Sequence, residues 1–475
     1  MRFLKFPFLF ACLILFSCED DNPQFQPDTV EDLTTVADQL SVSDVGNNND
    51  VVPVTDTVPV TDTVSDTAPE TASDVATDTV PDIRPYPTDI TVPSHLEATG
   101  FFRVEEAGGR WWLVTPEGEP FYSVGVNQCH PYGETEQDTN ANDYAANVNA
   151  LYDSHTAWAD EAERRLRSWG FNTIGSWSSE DLFRETMPFT EILYVSGANW
   201  LTGEVPDYFA AGFEERCRTR AQELAAPYRD EPNLIGWYLD NELRWGPDWR
   251  SGLTLLDDYL TLAQDAPGRI MAEQYRGDPD GFLQVVADRY FDVAVPALRE
   301  ADPNHMVLGI RSVGVLTPPQ VVIAAARHLD VFTVNDYTFV QGVHMIVDAW
   351  VAAGNPLMSV GDNLRAFHEL SGLPIMVTEF SFRAADSDLP NEWPPIYPSL
   401  ATQEDRAQAY ADYVRGLFSA PWIVGHHWFN YFDQPPGGRF DGENSNFGLV
   451  DIEDNPWETL TQEMGVVNQE APHLP

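Results

Sequence analysis

Leu234-Ile235-Gly236-Trp237-Tyr238-Leu239 runs apolar without a break and then turns polar at once, as Asp240-Asn241-Glu242. A short unbroken apolar run of this kind predicts a strand covered on both faces, as a parallel sheet between helices requires. Seven other stretches read the same way: Phe121–Val126, Phe171–Trp177, Ile192–Val195, Met306–Ile310, Val331–Val334, Ile375–Val377 and Ile423–Trp428. Between them lie amphipathic patterns of helical period: Ala157–Trp169, Glu214–Ala226, Phe282–Arg299, Pro319–His328 and Gln403–Phe418. Strict strand-helix alternation places the chain in the α/β class, and eight units predict a closed (β/α)8 TIM barrel. The competing architecture is an open doubly wound sheet, but no Gly-x-Gly-x-x-Gly follows the first strand.

Upstream, Phe101–Val104 and Arg110–Val114 flank Ala107-Gly108-Gly109, and Thr115-Pro116-Glu117-Gly118 marks a second turn. This is the pattern of a small N-terminal β-hairpin cap. The body of 94–475 is therefore read as one catalytic-size domain. Before it, Glu19 to Pro93 carries 17 acidic residues and one basic residue, Arg84, with Pro53-Val54-Thr55-Asp56-Thr57-Val58 repeated at 59–64. Few large apolar groups and many like charges predict a disordered stalk over 18–93. Residues 1–17 have a charged start, Met1-Arg2-Phe3-Leu4-Lys5, and then an apolar stretch too short to span a bilayer comfortably. This secretion signal ends Leu15-Phe16-Ser17-Cys18. The ending resembles the bacterial lipoprotein signal, in which the cysteine is acylated. It implies a secreted protein tethered through Cys18 to a bacterial membrane, at the outer membrane or cell surface. Only Cys129 and Cys217 remain in the body; one disulfide or two buried thiols are both compatible with that.

Across 475 residues there are 75 acidic against 26 basic side chains, a net charge of −49, and Lys5 is the one lysine. Such a surface repels phosphate backbones and anionic headgroups. Nucleic acid is therefore excluded as a partner, and membrane contact is expected only through the lipid anchor.

In a barrel of this type the reacting groups stand where strands end and βα loops begin. The fourth run ends at Glu242 and the seventh at Thr378-Glu379-Phe380, 137 positions later. Strands four and seven face a common point above the barrel. Two carboxylates meeting there suit cleavage of a glycosidic bond, one protonating the leaving oxygen and the other attacking the anomeric carbon. Sugars stack their C–H faces on aromatic rings, which draws attention to Trp177, Trp245 and Trp428 at or just past strand ends. Trp428 is the expected platform under the reacting sugar. Asn127, His130, Glu443 and Asn444 are further candidates for reading substrate hydroxyls. No cofactor or metal is expected: the neighbouring pairs Cys129-His130 and His426-His427 point to opposite faces of a strand. No Gly-x-Ser-x-Gly elbow sits at a strand-helix junction either.

Taken with these segments, the sequence resembles the retaining glycoside hydrolases whose acid/base follows strand four in an Asn-Glu pair and whose nucleophile ends strand seven. It is most similar to β-agarase-like and β-galactosidase-like members. The similarity lies in Gly100-Phe101-Phe102-Arg103-Val104, Gly109-Arg110-Trp111-Trp112, Ile235 through Glu242, and Asp441 through Asp451. The resemblance implies Glu242 as acid/base, Glu379 as nucleophile, and Asn241 on the sugar 2-hydroxyl. It also implies Tyr337 as a hydrogen-bond donor to the nucleophile. Such enzymes often bring an arginine from strand two; here that strand ends Ser176-Trp177, and the nearest candidate is Arg311 after strand five. The implied substrate is a galactose-containing polysaccharide or oligosaccharide cleaved by double displacement. The alternatives are an inactive surface carbohydrate-binding lipoprotein and a β-glycosidase for mannan or β-glucan.

Overall fold

The computed structural model describes residues 92–337, 363–392 and 399–472. The chain divides into Met1–Ala76 and Thr77–Pro475. The signal and nearly all of the stalk read from the sequence lie outside the described residues.

Three antiparallel strands come first: β1 (Arg103–Ala107), β2 (Arg110–Val114) and β3 (Pro120–Phe121). The barrel strands follow as β4 (Ser123–Val126), β5 (Thr173–Ile174), β6 (Phe189–Ile192), β7 (Leu234–Tyr238) and β8 (Met306–Gly309). After them come β9 (Ser312–Val313), β10 (Phe332–Asn335), β11 (Ile375–Phe380) and β12 (Ile423–Trp428). All are parallel, in the order β8-β7-β6-β5-β4-β12-β11-β10-β9. The first barrel strand therefore pairs with the last, as closure demands. The (β/α)8 architecture holds, with its fifth unit broken in two. β8 pairs with β7 and β9 with β10, and only Ile310 and Arg311 separate the two pieces. The break falls at Gly309, whose φ of +104° is open to glycine but hardly to other residues. Across it, Thr333 Oγ1 donates to Leu308 O at 2.7 Å and Asp330 N to Val307 O at 3.0 Å, so polar contacts stitch the ring where the ladder is interrupted.

Two sequence readings shift. Phe121 belongs to the cap sheet, leaving Ser123–Val126 as the barrel strand, and the third strand is Phe189–Ile192 rather than Ile192–Val195. The polar Thr190 and Glu191 hid that strand from an apolar-run reading. The helices match in place: His155–Ser168, Ala211–Arg220, Pro279–Ala301, Pro319–Ala325 and Gln403–Ser419. Their starts are chemically marked. Ser154, Asp278 and Thr402 accept from the backbone N–H groups of Ala157, Gly281 and Asp405, meeting donors that a helix start leaves unpaired.

One core fills the barrel, with Ile235, Tyr238, Leu308, Met376 and Val424 facing inward, and Phe102 and Leu113 of the cap join the same cluster. The hairpin thus closes the barrel at the end away from the strand C-termini. Arg110, itself 1% exposed, fixes it there by donating to Phe418 O and Ile423 O at 2.8 and 2.9 Å. The larger core lies between sheet and helices. Cys129 and Cys217 are both buried there as free thiols. Among the described residues no helix is long and apolar enough to cross a membrane.

Candidate active site

At the open end of the barrel five residues just past strand ends adopt the left-handed backbone region: Gln128 (φ 53°), Tyr194 (φ 53°) and, meeting at the site, Trp177 (φ 59°), Glu242 (φ 50°) and Arg311 (φ 48°). Each such non-glycine conformation costs ~1–3 kcal/mol and persists only where its surroundings enforce it. For Glu242 part of that enforcement is visible, since its N–H donates to Ile310 O at 3.1 Å. The kinks turn side chains that would otherwise continue the strand pattern toward the centre of the rim.

Asn335, the last residue of β10, stands between the two glutamates. Its Nδ2 donates to Glu242 Oε1 and to Glu379 Oε1, each at 2.9 Å. The two carboxylate oxygens are therefore at most twice 2.9 Å apart. Thr378 Oγ1 donates to Asn335 Oδ1 at 2.8 Å, which fixes the amide with its nitrogen toward the carboxylates. A register shift between Val334 and Asn335 in the β10–β11 ladder sets Asn335 opposite Glu379.

Arg311 is 0% exposed and fully engaged. Nη2 donates to Glu379 Oε1, Nη1 to Ser176 Oγ at 2.7 Å, and Nε to Asn241 Oδ1 at 2.8 Å. Its guanidinium lies 4.6 Å from the Trp177 ring centroid. Tyr337 donates to the other oxygen of Glu379, Oε2, at 2.8 Å. Burial pushes the Glu379 carboxyl above its ordinary range; Arg311 opposes this, the charge on Glu242 adds to it, and the Tyr337 hydrogen bond opposes it again. On Glu242, Oε2 accepts from Trp200 Nε1 at 2.9 Å.

Of the residues selected from sequence, the structure thus brings Glu242, Glu379, Asn241, Arg311, Tyr337 and Trp177 together. Others stand elsewhere or are already spent. Trp428 is wholly buried: Nε1 donates to Phe447 O at 2.9 Å, the Arg406 guanidinium lies 5.5 Å from its ring centroid, and Phe380 and Tyr410 pack against it. A sugar platform needs an open ring face, so the expectation for Trp428 is corrected to a core role. Trp245 is likewise buried, against Tyr290 and Phe291. Asn127 is inaccessible as well, because its amide ties strand ends together through Thr378 O, Trp428 O and Ser176 N.

His130 packs between Tyr132 and Phe432, and burial lowers its pKa to about 4, which keeps it neutral. Glu443 accepts from Gln434 Nε2 and pairs with Arg439 at 2.7 Å, while burial raises its pKa to about 7. Asn444 Oδ1 accepts from Glu392 N at 3.0 Å and the Asn444 carbonyl from Asn391 N at 3.2 Å, linking the loops after β11 and β12. These contacts give His130, Glu443 and Asn444 loop-building roles. Asn335 and Trp200 were the residues missed. Asn335 carried a signal, a polar residue ending an apolar strand. Trp200 carried none, because it lies eight residues beyond its strand.

Among the described residues no group of three or more His, Cys, Asp or Glu side chains is arranged to hold a metal ion. The strand alternation of His426 and His427 is real: His427 Nε2 meets Ser123 Oγ at 2.9 Å, whereas His426 lies among Tyr122, Phe418 and Phe380.

No family model matches the chain. Two curated proteins of Vibrio sp. (strain JT0107) do. Beta-agarase B is 24% identical over 79% of this chain and 49% of its own length, and Beta-agarase A is 25% identical over 76% and 44%. The chain thus spans about half the length of the curated relatives it matches. Among solved structures, an agarase named AgWH50C superimposes with a TM-score of 0.66 at 25% identity, over 79% of this chain and 64% of its own. An exo-beta-agarase gives 0.65 at 22%, over 81% and 68%. In sequence and in fold, this chain is similar to β-agarases.

Proposed function

We propose that the chain is a retaining glycoside hydrolase that cleaves β-linkages in an agar-type, galactose-containing polysaccharide or its oligosaccharides. The observation that carries this reading is the single amide nitrogen of Asn335 bonded to both Glu242 and Glu379. It keeps the bonded oxygens at most twice 2.9 Å apart, short of the ~6.5 Å at which room for an intervening water begins and compatible with the ~5–5.5 Å typical of double displacement. The β-agarase relatives supply the sugar class.

In this mechanism Glu379 attacks the anomeric carbon while Glu242 protonates the departing glycosidic oxygen, and a covalent glycosyl ester forms on Glu379. Glu242 then takes a proton from water, which attacks the same carbon and releases the ester with net retention. Arg311 and Asn335 occupy Oε1 of Glu379, so the nucleophile is oriented from behind. Asn241 Oδ1 accepts from Arg311 Nε, which leaves the amide nitrogen as the end that donates to the sugar 2-hydroxyl. Trp177, partly exposed and backed by Arg311, offers a ring to the bound sugar in the role that sequence alone suggested for Trp428.

Glu242→Ala is expected to lower turnover of galactan oligosaccharides by roughly 10²–10⁴-fold. On an aryl β-galactoside with a good leaving group, azide should restore turnover of this variant and yield the β-galactosyl azide. An unimpaired variant would exclude the role of Glu242, and glycan binding by a native protein that turns over no β-linked substrate would identify an inactive binder.

The acidic limb of kcat/KM gives a second test. Glu379 must be ionised to attack, so activity falls as pH drops through its pKa, and the Tyr337 hydrogen bond lowers that pKa. In Tyr337→Phe the limb should move to higher pH. A limb that stays put, or moves lower, contradicts the assignment of Glu379 as the ionised group.

We also propose that the enzyme is tethered by acylation of Cys18, on the strength of Leu15-Phe16-Ser17-Cys18 alone. Two or more acyl chains anchor a protein stably. Labelled palmitate should be incorporated by the native protein and not by Cys18→Ala, which should leave the membrane fraction; an unlabelled native protein refutes the tether.

A further inference from the structure

The loop beyond Glu242 carries a tryptophan for which the catalytic arrangement has no use. Trp249 is 51% exposed and is the one exposed tryptophan among the described residues. A lone exposed aromatic is ordinary on a protein surface. What distinguishes Trp249 is how firmly it is held. The Arg250 guanidinium lies 4.2 Å from its ring centroid, and the Arg250 side chain is 2% exposed. Every edge of that guanidinium is engaged: Nε and Nη2 donate to Asp248 Oδ2 at 2.9 and 2.6 Å, and Nη1 donates to Trp200 O at 3.2 Å and to Glu242 O at 2.9 Å.

Arg250 is therefore one rigid plate. Its edge grips the main chain of Glu242 and of Trp200, whose own indole binds the Glu242 carboxylate, while its face carries the Trp249 ring. An indole with one face seated on a guanidinium and about half its surface in solvent is pre-ordered for a second planar partner. It loses little conformational freedom when one arrives.

The position identifies the partner. Trp249 and Trp200 lie on the two loops that flank the acid/base, and the leaving-group portion of a glycan is the part held on the acid/base side of the scissile bond. We propose that Trp249 is a stacking platform for a sugar on the leaving-group side, beyond the one joined directly to the scissile oxygen, in a β-linked galactan chain. The axial 4-hydroxyl of galactose leaves the opposite ring face lined by C–H groups, the surface an indole takes. This inference rests on the glycoside hydrolase reading and adds a binding site to it. The site contributes only when the chain is long enough to reach it.

The test compares native protein, Trp249→Ala and Trp249→Phe on a series of galactan oligosaccharides of increasing length, with an aryl β-galactoside as the shortest substrate. Trp249→Ala should lose about three- to tenfold in kcat/KM on the longest members, chiefly through KM, and nothing on the aryl glycoside. Trp249→Phe should recover part of the loss. An equal loss at every length, or no loss at any length, overturns the platform. If the native protein hydrolyses none of the series, the enzymatic reading is what fails. Calorimetric titration of the same oligosaccharides then decides the platform by itself: affinity that rises with length in the native protein and not in Trp249→Ala supports it, and identical affinities overturn it.

Discussion

Two carboxylates are held on one amide nitrogen inside a largely dry rim, and the rest of the site is organised around making that tolerable. Even at twice 2.9 Å, the most that the shared amide allows, two full negative charges repel by about 3 kcal/mol at an effective dielectric near 20. The buried guanidinium of Arg311 supplies the opposing charge, and the Asn335 and Tyr337 donors supply hydrogen bonds. Even so, desolvation prevails at Glu379, whose carboxyl stays above its ordinary range. That imbalance suits double displacement. A nucleophile that is costly to keep ionised is relieved when it forms an ester, and loss of its charge changes the field at Glu242 between the two steps.

The barrel makes this arrangement possible because it brings distant segments to one rim. Arg311 comes from the broken fifth strand, and the break itself is useful: Gly309 ends β8, the chain kinks at Arg311, and β9 resumes pairing with β10. The guanidinium can then cross to Ser176 on the second strand and Asn241 on the fourth while still reaching Glu379 on the seventh. The arginine that meets the nucleophile here comes from the fifth strand, and Ser176, just past the end of the second, accepts a hydrogen bond from it.

Much of the fold was legible because buried parallel strands announce themselves as unbroken apolar runs, and those runs located seven of the eight barrel units closely. The third escaped because Thr190 and Glu191 interrupt it. The glutamates were legible from position, since each stands where an apolar run turns polar. Tertiary routing was not legible. Trp428 ends its strand as plainly as Glu379 does, yet the helix Gln403–Ser419 draws it inward by supplying Tyr410 and Arg406 as packing partners. Asn127 looked available for substrate and is consumed in joining strand ends. Trp200 depends on the path of a long loop, for which no local pattern speaks.

The central claim is that the two carboxylates act by double displacement on a β-linked galactan. Proton NMR of the reducing-end anomer released in the first moments of hydrolysis, before mutarotation, tests it most directly. Double displacement requires the β-anomer to appear first. Initial release of the α-anomer would mean inversion, and Glu379 could not then be the nucleophile.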